Sequence, residues 1–343
     1  MNENRRYRGA VASTLAGIAD VARTVEPVGR LAPTDRIEGR TCLVTGATSG
    51  LGFAVACELA RRGGRIIATG RGAGAELERR IREEVTAIRE SDTAGPAPDV
   101  VSEKIDLSSF DSVVAFVDRL AARLAAEDRT IEVAVFNAGV VTSRSRPSAD
   151  GYDAMLQVNY LSKYLLVRRL LARGCIQPGG VNGAVLPRLI FVSSEAHRSS
   201  PDVDTDTFMS VAPYGITGSI RNYGYSKLLL TIFTEELSRR LNVGSSLAAS
   251  VFTLCPGPVS SGIAREAPAL FQPLLRLLFS LFFHSPERAA EPVVFLACSP
   301  SMEGTDRVYL HLMQRKEKDP RALDPELGRR LWDASDDLLA HRL

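Results

Sequence analysis

From Arg40 almost to the end of the chain, short apolar runs alternate with longer amphipathic stretches, a rhythm that predicts strands and helices in turn. Strands are expected at Cys42–Val44, Arg65–Thr69, Val100–Leu107, Ile131–Phe136, Leu189–Ser193 and Ala249–Cys255, with a seventh at Arg307–Leu312. Helices are expected at Phe53–Arg62, Ala75–Glu90, Ser109–Ala126, Tyr152–Leu171 and Tyr223–Leu241. Gly63-Gly64 and Gly95–Pro98 punctuate the pattern as turns. Alternating strands and helices imply an α/β fold, a doubly wound parallel sheet with helices on both faces. The rhythm runs on without a linker, so residues 40–343 read as one domain.

Residues 1–39 stand outside this pattern as an N-terminal extension. Arg5, Arg6 and Arg8 precede Ala10, Val11, Leu15, Ile18, Ala19 and Ala22 at helical spacing, and Pro27 and Pro33 close the segment. One amphipathic helix and a linker are expected, packed on the main body in preference to touching a membrane surface. Its apolar part, Gly9–Ala19, is too short to cross a bilayer and does not read as a secretory signal.

Composition changes this picture little. The 343 residues are 45% hydrophobic and 24% charged, as in ordinary globular proteins, and a net charge of +2 gives no reason to expect nucleic acid. Cys42, Cys57, Cys175, Cys255 and Cys298 form no C-x-x-C pair and sit mostly in apolar runs. Buried free thiols in a reducing, cytoplasmic compartment are expected.

In such a sheet, ligands sit outside the carboxyl ends of the strands. Polar or glycine-rich segments follow the strands here: Thr45–Gly52, Gly70-Arg71, Asp106-Leu107, Asn137-Ala138-Gly139, Ser193-Ser194 and Pro256–Ser261. In the first, Gly46, Gly50 and Gly52 leave room for a diphosphate to meet backbone N–H groups and a helix N-terminus. No acid occurs between Leu59 and Ala75 to hold a ribose 2′-hydroxyl, whereas Arg71 follows the second strand directly. A guanidinium there suits a 2′-phosphate, which favours NADP(H).

Tyr223 and Lys227 lie four apart on one helical face, with Tyr225 turned away. An ammonium beside a phenol is expected to lower its pKa, so the pair could exchange a proton with an alcohol or carbonyl. Ser194 would hydrogen-bond the reacting oxygen.

With these residues in place, the chain resembles a short-chain dehydrogenase/reductase of the retinol-dehydrogenase-like kind. The resemblance rests on T-G-x-x-x-G-x-G at Thr45–Gly52, N-A-G at Asn137–Gly139, Asn159 after Val158, and V-S-S at Val192–Ser194. It continues with Y-x-x-x-K at Tyr223–Lys227 and P-G-x-V-x-[ST] at Pro256–Ser261, covering about residues 40–310, and the tail at Arg329–Leu339 looks like the closing helix of such proteins. It implies a Rossmann fold in which Tyr223 is the acid/base, Lys227 binds the nicotinamide ribose, and Ser194 rather than Ser193 polarises the carbonyl. Asn159 would hold a water relaying protons from Lys227. Thr45, Gly46, Thr48, Ser49, Gly50, Leu51, Gly52, Asp106, Leu107, Asn137, Ala138, Gly139, Pro256, Gly257, Val259 and Ser261 would complete the cofactor site with Arg71, Asp106 contacting adenine and Asn137 steadying the central strand. The resemblance also admits a homodimer through the long helices.

Three departures stand out. Phe136 replaces an asparagine, Pro201–Asn222 reads as an insertion shaping the entrance, and the N-terminal extension is not a membrane-spanning anchor. Ala269–Phe283 is almost wholly apolar and falls where the family places its substrate lid, about residues 262–285. A lid over a lipophilic substrate, a peripheral membrane contact and a dimer surface all fit it, and the lid is favoured. Asp202, Asp204 and Asp206 read as exposed loop acids rather than metal ligands, His197 as a polar loop residue, and Trp332 as a packing anchor. The expected activity is NADP(H)-dependent hydride transfer to or from a retinoid-, steroid- or fatty-aldehyde-like substrate. A polyketide-type ketoreductase and a catalytically quiet NADP-binding interaction protein are the alternatives.

Overall fold

The computed structural model describes residues 27–89, 97–180, 185–210, 212–244, 246–257 and 285–343. The expected N-terminal helix, Val259, Ser261 and the apolar stretch at 269–283 lie outside the described residues. The strands are β1 (Thr41–Thr45), β2 (Arg65–Gly70), β3 (Val100–Lys104), β4 (Val133–Phe136), β5 (Arg188–Val192), β6 (Ser250–Cys255), β7 (Tyr309–His311) and β8 (Gln314–Arg315). They form one sheet in the order β3-β2-β1-β4-β5-β6-β7-β8. Every pairing is parallel except the last, where β8 turns back antiparallel on β7 and pairs in turn with Pro27.

The helices are α1 (Gly50–Arg61), α2 (Ala75–Arg89), α3 (Phe110–Ala126), α4 (Ser162–Ala172), α5 (Ile216–Leu241), α6 (Pro286–Cys298), the short α7 (Pro320–Leu323) and α8 (Pro325–Leu339). Alternate residues of the inner strands enter two separate cores, as period-2 geometry requires. Leu43 and Phe136 join α3, α4 and α5 on one face, while Cys42, Val44, Val133 and Val135 join α1, α2 and α6 on the other. Phe136, the departure noted above, stacks on Phe191 of β5 at 4.5 Å between ring centroids, in register with it. All five cysteines are buried and free.

Three elements differ from the sequence pattern. The third strand stops at Lys104, leaving Asp106 and Leu107 in a loop where the Asp106 carboxylate accepts from Ser108. The helix expected at Tyr152–Leu171 is broken: a three-residue turn Ala154–Leu156 leads into a π-helical segment, Gln157–Leu161, before α4. Hydrophobic periodicity cannot register one wide turn inside a long helical run. Helix α5 begins two turns earlier than expected, at Ile216.

The C-terminal helix α8 lies across α4 and α5. Trp332 is buried against Tyr164 and Phe233, with centroids 5.1 and 5.8 Å away, and the guanidinium carbons of Arg168 and Arg240 lie 4.7 and 4.3 Å from its ring centroid. The outer face of two long helices is thereby occupied by the chain's own C-terminus. Truncating this indole removes a large apolar area and two cation–π contacts. Trp332→Ala is expected to lower stability by about 3–5 kcal/mol in urea denaturation, in line with other buried aromatic deletions.

Candidate active site

The glycine turn after β1 packs directly against the end of β4. A Cβ built on Gly52 would lie 2.2 Å from the carbonyl oxygen of Gly46 and 2.5 Å from Asn137 Nδ2, so no side chain fits there. Asn137 donates through Nδ2 to the carbonyls of Thr45, at 3.0 Å, and Gly46, at 3.4 Å, fixing the turn. Ser49, at the N-cap of α1, makes no side-chain capping bond, and no acid occupies the first turn of this helix. Its leading N–H groups therefore face outward with the positive end of the dipole, an arrangement suited to a diphosphate.

Thr45 is the last residue of β1. Its hydroxyl donates to the Val135 carbonyl at 3.3 Å and accepts from Ala138 N–H at 3.1 Å, and the residue is buried. This hydroxyl ties β1 to β4. Ala138 and Gly139 follow at the open end of β4, and Pro256 and Gly257 follow β6, which lies two places from β4 with β5 between them. Thr48 covers the end of β2, its Cγ2 at 2.7 Å from where a Gly70 Cβ would stand. Arg71 is exposed just beyond. Arg80, absent from the sequence candidates, reaches the same rim: Nη1 donates to the Thr48 carbonyl at 3.3 Å and the guanidinium lies 4.6 Å from the Phe53 ring centroid. Its only signal in the sequence was one basic residue among several on a charged helix.

Ser194 begins a short 3-10 helix, Glu195–Ser199, and Tyr223 and Lys227 come from α5. The Ser194 oxygen accepts from Ala196 N–H at 3.2 Å, and its hydroxyl meets the Tyr223 phenol. Ser193 instead is buried against Thr231, at 2.9 Å. Lys227 Nζ lies 5.5 Å from the Tyr223 ring centroid and donates to the Val192 carbonyl at 2.8 Å. A Cβ on Gly139 would sit 3.2 Å from Asn159 Oδ1 and 3.6 Å from Lys227 Nζ, so these groups converge at the end of β4.

Asn159 lies within the π-helical segment and is locked on three sides. Its Oδ1 accepts from Val140 N–H at 2.8 Å, while Nδ2 donates to the Val140 carbonyl and to Ser226 Oγ at 2.9 and 3.0 Å. Both amide protons are engaged, leaving one acceptor position on the side chain. Ser226 passes the contact on by donating to the Tyr223 carbonyl at 2.8 Å.

The phenol differs from the sequence expectation. Burial pushes Tyr223 up to about 12, the charge of Cys255 adds to the rise, and only the Ser194 hydroxyl opposes it. Burial in turn pulls Lys227 down to about 8. The ammonium is directed at Val192 instead of the phenol, and desolvation outweighs its field.

His197 is fully buried. Nδ1 lies 2.6 Å from the Ser194 carbonyl and Nε2 accepts from Asp319 N–H at 3.3 Å, so the ring anchors the 3-10 helix to the C-terminal segment. Tyr225 is buried in the core, Asp202 pairs with Arg321 at 3.4 Å, and Asp204 accepts from Asp206 N–H within its own loop. The insertion is tied to the residues that follow β4: the Tyr214 hydroxyl is 2.9 Å from Thr142 and donates to Asp153 at 3.1 Å.

The sequence profile described as short chain dehydrogenase matches residues 40–201. Mouse (Mus musculus) retinol dehydrogenase 14 is 32% identical over 304 residues, covering 88% of this chain and 86% of its own. The chain is a short-chain dehydrogenase/reductase, and a retinol-dehydrogenase-like member of that family. Among solved structures, an uncharacterized protein from Mycobacterium Paratuberculosis matches with a TM-score of 0.66 and 22% identity, covering 92% of this chain and 98% of that one. A short chain dehydrogenase from Burkholderia cenocepacia J2315 in complex with NADP matches with a TM-score of 0.56 and 20% identity, covering 81% and 97%. The shared fold thus extends well past the residues of the profile.

Helix α5 meets the 3-10 helix at Gly224, where a Cβ would lie 2.5 Å from the Ala196 carbonyl oxygen. Gly224→Ala is expected to part Ser194 from Tyr223 and to cost about 1–3 kcal/mol of stability from overpacking. Urea denaturation and a crystal structure of the variant check this; unchanged stability with the serine–phenol bond intact would refute it.

Proposed function

We propose that this short-chain dehydrogenase/reductase interconverts a lipophilic carbonyl compound and its alcohol with NADP(H), Tyr223 handling the proton. The observation that carries the reading is the meeting of the Tyr223 phenol and the Ser194 hydroxyl beside a buried Lys227 amine.

The cradle fits a dinucleotide: a turn that tolerates no Cβ at Gly52, and a helix whose leading N–H groups have neither cap nor acid. Gly46, Gly50 and Gly52 would hold the diphosphate, Asp106 and Leu107 the adenine side, and Asn137, Gly139 and Lys227 the nicotinamide side. Val259 and Ser261 belong to the same proposal from their motif alone. When bound, the nicotinamide supplies or accepts the hydride. Two arginines at the rim, Arg71 and Arg80, and the lack of an acid after β2 support a 2′-phosphate. That a protein of similar fold holds NADP agrees with this reading.

With its pKa near 12, Tyr223 is a neutral phenol at physiological pH, ready to give its proton to an oxygen that gains negative charge. Ser194 would donate to the same oxygen as the charge develops. Proton supply therefore favours carbonyl reduction. Ile216 and Ile220 are 75% and 49% exposed on the stripe of α5 that leads, at helical spacing, to Tyr223 and Lys227. An apolar approach of that kind suits a lipophilic substrate, the class named in the retinol dehydrogenase relatives.

Tyr223→Phe should cut turnover of retinal-like aldehydes and steroid ketones by roughly 10²–10⁴-fold, the usual weight of a positioned acid, while NADPH binding persists. Undiminished turnover would refute the role. Arg71→Ala should weaken NADPH by on the order of tenfold or more and leave NADH nearly unchanged, as expected for loss of a charge-assisted hydrogen bond. Fluorescence titration with both nucleotides measures this, and equal losses would remove the preference for the phosphate.

A further inference from the structure

We propose that His197, through a bond from its Nδ1–H to the Ser194 carbonyl, is a positioning residue that aims the Ser194 hydroxyl at the reacting oxygen. The inference rests on the reading of Ser194 and Tyr223 given above.

His197 is fully buried, and both of its ring nitrogens meet backbone groups. Nε2 accepts from the Asp319 N–H at 3.3 Å, so that nitrogen carries no proton. The Ser194 carbonyl, 2.6 Å from Nδ1, can only accept, so the ring proton stands on Nδ1. Together the two contacts leave one state open to the ring, the neutral Nδ1–H tautomer. Burial, with Arg198 beside it, holds the imidazole down at about 4, against the pull of Glu195, the Ser194 carbonyl and Asp319. An uncharged ring at neutral pH agrees with the geometry. Tyr309 packs against it at a steep angle, with ring centroids 5.6 Å apart.

What this bond controls is the direction of one peptide plane. The Ser194 backbone is extended, and its carbonyl also accepts from the His197 backbone N–H at 3.1 Å, the bond that its 3-10 turn provides. A carbonyl held by one donor can pivot about that bond. The ring supplies a second donor and occupies the other lone pair. Upstream, the Ser193 N–H donates to the Leu254 carbonyl at 2.7 Å, so the chain is fixed before the serine as well as after it. Ser194 Oγ accepts from the Ala196 N–H at 3.2 Å, which leaves its one proton for the Tyr223 phenol or a substrate oxygen. Where that proton points follows from the peptide that His197 holds.

The ring is itself held from behind. Asp319 caps α7 by accepting from the Arg321 N–H at 2.9 Å, and it pairs with the Arg321 guanidinium at the same distance. Arg321 Nη1 in turn donates to the Ser200 and Pro201 carbonyls at 2.9 and 3.1 Å, closing the far end of the 3-10 helix onto the same segment. The start of α7 thus reaches the reacting serine through one imidazole. His197 touches neither substrate nor cofactor in this role, and no proton moves to or from it. It acts through Ser194 alone.

The test separates the two ring bonds in the full chain. His197→Asn sets an amide N–H near the position of Nδ1 and leaves the Asp319 N–H without its acceptor. His197→Gln sets an acceptor near the position of Nε2 and leaves the Ser194 carbonyl with one donor. With retinal and NADPH, His197→Gln should lower kcat roughly tenfold or more while KM and NADPH affinity are kept, as for a misaimed reacting group. His197→Asn should recover most of that rate yet melt at the lower temperature, because a buried N–H without an acceptor is the more destabilising loss. A purely structural role makes rate and melting temperature fall together across the two variants, and that outcome would overturn the inference. On the unaltered chain, nitrogen-15 NMR should show an Nδ1–H imidazole that does not titrate between about pH 5.5 and 8, where a free histidine would. An Nε2–H ring, or one that titrates there, overturns it whether or not the variants fold. Ser194→Ala is the control. If it loses turnover while both His197 variants keep kcat, the inference fails and the reading of the site stands. If Ser194→Ala keeps full turnover, that reading fails as well.

Discussion

Lys227 Nζ donates to the carbonyl oxygen of Val192 at 2.8 Å, joining the middle of α5 to the last residue of β5. An amine inside the protein needs an acceptor, and the strand end supplies one where the sheet ladder leaves a carbonyl free. Because Val192 is followed at once by Ser193 and Ser194, this bond sets where Ser194 and Tyr223 stand relative to one another. The neighbouring contacts brace the same joint. Ser193 bonds Thr231 one turn further along α5, and Gly224 lets the helix approach the Ala196 carbonyl more closely than any other residue could.

From the opposite side, the segment following β6 clamps the same elements with buried charge. The Glu195 carboxylate accepts from Tyr309 at 2.6 Å, Lys316 at 2.7 Å and Arg198 at 3.1 Å, and against the effect of burial the positive charges of Arg198 and Lys316 hold its pKa low. On α5, the buried Glu235 pairs with Lys318 and with Arg307. Such pairs add little net stability compared with apolar packing, yet losing one partner is severe, since it strands a charge. Their consequence here is geometric. The 3-10 helix that starts at Ser194 and the helix that carries Tyr223 are both tied to the residues between β7 and α7.

The π-helical segment plays the same part for Asn159. A single wide turn rotates the side chain toward the loop after β4, where it bonds both backbone groups of Val140 and reaches Ser226 on α5. Three elements far apart in the chain, the β4 loop, the π-helical segment and α5, are thereby linked through one amide. Beyond them, α8 seals the outer face of α4 and α5 through Trp332, Ser335 and Asp336. The site thus sits between a glycine cradle on one side and a helix pair closed from outside on the other.

Much of this was legible in the chain itself, because strand and helix periods, the glycine turn and the Tyr223–Lys227 spacing are local patterns that fold alike in many contexts. The parallel sheet and the strand ends that carry polar residues follow from such patterns. What only folding decided are contacts between residues remote in sequence: Asn159 with Ser226, 67 residues apart, and Thr45 with Val135, 90 apart. No local signal marks a threonine hydroxyl as bound to a neighbouring strand. The pKa of Tyr223 belongs to the same class. The sequence places a lysine one turn away, but whether desolvation or that charge prevails depends on where the ammonium points, and packing alone determines that.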